Sequence, residues 1–154
     1  MSTYHDEVQE LKARYPDWRS ATLPALRLAQ EKHGYLSAEA LRECADALGT
    51  TPAICKAVAS FYDMLHLAPV GRHMVEVCTN VSCALVGAQQ VLENFERELD
   101  VRAGETTDDG EITLRPVECL GGCGWATIVA VDHRYRTHVM PDDVAGIVQE
   151  LRGG

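Results

Sequence analysis

The sequence predicts an α+β chain: a helical bundle over residues 1–70, then a small sheet flanked by helices over residues 71–154. Three observations carry this. Up to Leu65 the apolar residues recur at helical spacing. From Arg72 onward the period shortens to the alternation of strands. Between the two lies Pro69-Val70-Gly71, which suits neither.

In the first part, Thr3 or Ser2 caps a helix running to about Ala13, with Val8 and Leu11 as its stripe and Pro16 beyond its end. A second helix spans about Ala21 to His33, and Gly34 stops it. Ser37 is the N-cap of a third, Ala38 to Leu48, which Gly49 closes. Thr51-Pro52 opens a fourth: a capping hydroxyl precedes proline at the first helical position. Ile54, Val58, Phe61, Tyr62 and Leu65 follow as its apolar positions.

In the second part, His73 to Val77 alternates as a strand and runs into Cys78. Ser82 caps a helix carrying Leu85, Val86, Val91, Leu92, Phe95 and Leu99. After a polar loop, Ile112 to Val117 is a second strand that runs into Cys119. Ala126 to Val131 and Tyr135 to Val139 form a hairpin across Asp132-His133-Arg134. Pro141 and two acids open the last helix, which reaches about Arg152, although Met140 ahead of it has no oxygen to offer as a cap. A crossover helix between the first two strands makes them parallel. The order β-α-β-β-β-α is that of a thioredoxin-like domain.

The 154 residues carry a net charge of −9, which argues against a binder of nucleic-acid backbones. The amino terminus lacks an apolar signal core and no apolar run approaches a bilayer span, so neither secretion nor direct membrane insertion is expected. Six cysteines without an export signal are expected to be metal ligands or reduced thiols.

Four of them come as two pairs, Cys78-Thr-Asn-Val-Ser-Cys83 and Cys119-Leu-Gly-Gly-Cys123. Each pair follows a predicted strand end, and parallel strands would bring both loops to one sheet edge. Neither pair has the Cys-x-x-Cys spacing of thiol–disulfide enzymes. A structural zinc site accommodates the spacing within each pair, but Ala84 to Glu118, with its whole helix, is a long separation for such a module. A two-iron cluster needs two thiolates on each iron, which two pairs on two loops would supply. Gly121, Gly122 and Gly124 let backbone N–H groups approach sulfur. Cys44 and Cys55 lie on helical faces beside Leu41, Leu48 and Val58 and are expected in the core.

VEVCTNVSCALVGAQQVLE, GETTDDGEITLRPVECLGGCG, ALRLAQEKHGYLSAEAL and GTTPAICKAVASFYDML together resemble the small two-iron subunit of NADH:quinone oxidoreductase, respiratory complex I. Related subunits serve NAD-linked hydrogenases and formate dehydrogenases. The resemblance spans nearly the whole chain. It implies a helical docking domain over residues 1–70 and a thioredoxin-like [2Fe–2S] ferredoxin domain over 71–154. It implies one [2Fe–2S] cluster held by Cys78, Cys83, Cys119 and Cys123. It also implies a partner flavoprotein that carries FMN and binds NADH, further subunits of a redox complex, and a cytoplasmic place peripheral to the membrane. The chain would be part of an enzyme with no complete active site of its own, and it has no Gly-x-Gly-x-x-Gly and no catalytic triad. Thr127 stands where the family usually has proline, which bears on the local loop and on the cluster potential. His33, His66, His73 and His133 show no ligand spacing. Trp125 is expected either to shield the cluster or to pack ordinarily; Trp18 and Tyr35 are expected in the core or at an interface.

Overall fold

The computed structural model describes residues 3–153. It divides into two compact units, Met1–Pro69 and Val70–Gly154.

The first unit is helical. In α1 (Tyr4–Ala13) the Thr3 hydroxyl accepts the Asp6 N–H and the Asp6 carboxylate accepts the Thr3 N–H, a reciprocal capping box. Thr3 is thus the cap; Ser2, the other candidate, lies outside the described residues. A short 3₁₀ turn over Trp18–Ala21 delays α2 (Thr22–His33) by one residue relative to the expectation. Gly34 ends α2 at φ 80°, and Gly49 ends α3 (Ala38–Leu48) at φ 77°, conformations that cost glycine little. Ser37 Oγ accepts the Ala40 N–H at 3.1 Å, as a cap should.

In α4 (Pro52–Phe61) two expectations fail. Thr51 makes no side-chain cap bond. The helix stops at Phe61, and Ile54 and Phe61 are exposed, Phe61 by 80%. The face that α4 buries is the small-residue pair Cys55 and Ala59, one turn apart, packed toward α3. The core of this unit is rich in small residues, with Ala25, Ala29, Ala40, Ala45, Cys44 and Cys55 fully buried beside Val8, Leu26 and Leu48. That composition lets the helices approach closely. Cys44 and Cys55 are therefore core residues as expected, and hydrogen bonding to Cys44 together with burial pushes the Cys55 thiol up. Tyr4, buried beside them, donates its hydroxyl to the Ala25 carbonyl at 2.9 Å.

The second unit is built on a four-stranded sheet in the order β2-β1-β3-β4. Strand β1 (His73–Cys78) lies parallel to β2 (Ile112–Val117), with Cys78 opposite Val117. Strand β3 (Val129–Val131) is antiparallel to β1 and to β4 (Arg134–Arg136). Val75, Val77, Leu114 and Val129 face a core completed by two helices, α6 (Ala88–Leu99) and α7 (Val144–Gly153). Phe95 is its largest fully buried side chain.

The expected single helix after Cys78 is two. Asn80, not Ser82, caps a short α5 (Val81–Leu85), and Gly87 at φ 103° turns the chain before α6 begins. Leu85 and Val86 fall before that break and are exposed rather than on the core face. The hairpin is also shorter than expected. Val131 pairs with Arg134, so the turn is the two residues Asp132 and His133, both left-handed. His138 at φ 53° then leaves the extended region, although Val139 N–H still reaches the Thr127 carbonyl at 3.0 Å. The last helix starts as a 3₁₀ turn at Pro141–Asp143, and the Asp143 carboxylate accepts the Met140 N–H, compensating for a cap residue without an oxygen.

Candidate functional site

The parallel pairing of β1 and β2 puts the ends of both strands at one edge of the sheet, and the two cysteine pairs leave from there. Cys78 is the last residue of β1, and its N–H is held by the Ile128 carbonyl at 3.1 Å. Thr79 N–H continues the pairing to the Val117 carbonyl at 2.9 Å, so the loop stays in register to the first residue past the cysteine. Cys83 sits in α5, placed by the Asn80 cap, whose carboxamide oxygen accepts the Val81 N–H at 2.8 Å. Cys119 follows β2 in the glycine-rich loop, and Cys123 opens a 3₁₀ turn through Trp125.

Cys78 and Cys83 are buried together with Ala88 and Ile128, while Cys119 and Cys123 are exposed. No disulfide joins any of the six cysteines. Burial pushes the Cys83 thiol up; a hydrogen bond from the Ile128 backbone acts against this, and the thiols of Cys78 and Cys123 add to the rise. Cys119 stands on the exposed limb of its loop, where Gly121 N–H donates to its sulfur at 3.3 Å. Among the described residues, no group of three His, Cys, Asp or Glu side chains converges as a site for a single metal ion.

The surroundings fit a sulfur-rich cluster. One sulfur, that of Cys119, already receives a backbone N–H bond, from Gly121. Gly122 is buried, and a Cβ there would lie 2.9 Å from Ile128 Cδ1, so a side chain here would push into the buried Ile128 just ahead of β3. Thr127 is buried, its hydroxyl has no hydrogen-bond partner, and the peptide bond before it is cis. Trp125 is 60% exposed. With Val81, Leu85 and Val86 it leaves four large apolar side chains exposed on and beside the elements that carry Cys83 and Cys123.

The histidines with side-chain partners are structural. His33 Nε2 meets Glu43 at 2.6 Å near the end of α2, and His73 Nδ1 meets Asp132 at 2.7 Å. Trp18 is half-buried under the Arg19 guanidinium, and Tyr35 is half-buried. Sequence reasoning missed the Asn80 cap and the Ile128 carbonyl that holds the Cys78 N–H. Asparagine ahead of Val81 was a readable cap signal; a backbone acceptor has no residue signature.

Residues 8–152 match the family described as thioredoxin-like [2Fe-2S] ferredoxin. An NADH-quinone oxidoreductase subunit of Rhizobium meliloti is 39% identical over 150 residues, covering 97% of this chain and 89% of that protein. Its counterpart of the same name in Mycobacterium bovis is 41% identical over 146 residues, covering 95% of this chain but only 58% of its own longer length. Among solved structures, an NAD+-reducing [NiFe]-hydrogenase superposes with a TM-score of 0.74 at 19% identity, over 83% of this chain and 22% of that one, a likeness of fold. Strand ends, paired cysteines and these matches converge: the chain belongs to the thioredoxin-like [2Fe–2S] ferredoxin family, among the relatives that serve as subunits of NADH-quinone oxidoreductase.

Proposed function

We propose that Cys78, Cys83, Cys119 and Cys123 hold one [2Fe–2S] cluster, and that the chain is the electron-transfer subunit of an NADH-quinone oxidoreductase. The observation that carries this is the parallel register of β1 and β2, which delivers two cysteine pairs to one sheet edge. When bound, the cluster accepts and releases single electrons. The chain supplies the rest: four thiolates as ligands, a backbone N–H donor from Gly121, and an apolar wall of Ile128 and Ala88 that limits water on one side. That donor favours the more negative, reduced state.

NADH and FMN belong to a partner flavoprotein, because this chain carries no nucleotide-binding glycine motif. The helical unit is the docking element. Its exposed apolar residues, Ile54, Phe61, Met64 and Leu67, are the kind that a partner covers. No helix among the described residues is long and apolar enough to cross a membrane. The complex, rather than a span of this chain, holds it at the membrane periphery on the cytoplasmic side.

The test is an anaerobic visible spectrum with iron, sulfide and zinc counts, then low-temperature EPR after dithionite. Two irons and two sulfides per chain with a one-electron signal are expected. A colourless protein with one zinc after cluster reconstitution would refute the reading.

A further inference from the structure

The cysteine loops are closed off by the segment Ala126-Thr127-Ile128, and Thr127 is its unexplained member. Its carbonyl is satisfied, accepting the Val139 N–H at 3.0 Å. Its side chain is only 1% exposed, yet its hydroxyl bonds to nothing. A buried hydroxyl left without a partner is costly, so such groups persist where something else uses them. Both chain neighbours belong to the site. Ala126 packs against the cluster of buried residues that contains Cys78 and Cys83, and Ile128 is part of it. The Ile128 carbonyl also holds the Cys78 N–H at 3.1 Å. The idle hydroxyl is therefore one residue from a group that fixes one of the four candidate ligands.

We propose that the Thr127 hydroxyl is a hydrogen-bond donor to a sulfide of the bound cluster, and that it raises the cluster's reduction potential. The inference rests on the two-iron assignment made above. The inorganic sulfides are the acceptors that binding adds to this enclosed place. Reduction adds negative charge to them, so a donor there stabilises the reduced form more than the oxidised one.

The experiment is an EPR-monitored redox titration of the reconstituted full chain, compared with Thr127→Val, Thr127→Ala and Thr127→Ser. Valine keeps the shape and removes the donor; alanine removes it without needing room; serine restores it. At a fixed poise, Thr127→Val and Thr127→Ala should lower the reduced-to-oxidised ratio about tenfold, which for one electron is about 59 mV. Thr127→Ser should stay near the wild type. In D2O, the wild-type and Thr127→Ser clusters should show one more exchangeable hyperfine-coupled deuteron than Thr127→Val. Equal potentials in all four proteins would overturn the proposal while leaving the cluster intact. A shift in Thr127→Ser as large as in Thr127→Val would overturn it too, by tracing the effect to packing. A wild-type chain that takes up no two-iron cluster would overturn the assignment on which it stands.

Discussion

Water reaches Cys119 and Cys123 but not Cys78 and Cys83, and a thiolate that must form in a buried place depends on its neighbours more than one in solvent does. Serine at any of the four positions should therefore strip or destabilise the cluster, measured as lost iron and lost visible absorption. Alanine at Cys44 or Cys55 should leave both unchanged and cost about 1 kcal/mol in urea unfolding, because those thiols only fill a core. Asp132 offers a prediction in pH. Burial would raise its carboxyl, but hydrogen bonds from the His73 ring and the Met74 N–H outweigh burial and hold it below the ordinary value. A carboxyl depressed in the folded state stabilises above its unfolded pKa, and this is lost as pH falls below about 4. Asp132→Asn, which keeps the turn's left-handed tolerance, should remove that part of the acid limb, seen as a smaller loss of urea midpoint between neutral and acid pH.

Strand β2 is held at its start by Gly71, whose N–H reaches Thr113 Oγ1 at 2.6 Å. A Cβ on Gly71 would lie 2.8 Å from Ile112 N and 2.9 Å from Glu111 C, both backbone atoms. Gly71→Ala should thus cost about 1–3 kcal/mol in chemical unfolding, since the strand itself must shift. Elements with local signals were legible in the sequence. Ser37 and Gly49 bracket α3 as read, Gly34 ends α2, and the two strands that lead into cysteines are where alternation put them. What was illegible was decided by packing. Gly87 splits α5 from α6 in a run whose apolar residues could have continued one helix, and α4 buries cysteine and alanine in preference to its larger residues. At the site, spacing revealed the thiols, whereas the Ile128 carbonyl that holds Cys78 depends on β3 lying against β1, a pairing no cysteine pattern announces.

Each unit has its own core, one of small helical residues and one of sheet and helix. Residues 70–154 alone should therefore fold and take up a cluster with the spectrum of the full chain. Capture of the flavoprotein should depend on the missing helices. Within the full chain, Phe61→Asp should weaken that capture at least tenfold while leaving the cluster spectrum unchanged, because Phe61 is 80% exposed and outside the core. The parallel β1–β2 pairing also fixes an order in time. A parallel pair cannot close until its crossover has been made, and here Cys78 is pinned in addition by Ile128, a residue of the segment entering β3. A chain still emerging from the ribosome thus holds Cys78 and Cys83 without a site until about fifty further residues have followed them. Iron and sulfide are consequently received by a folded domain, and an incoming carrier meets Cys119 and Cys123 at the surface before it reaches the two thiols beneath.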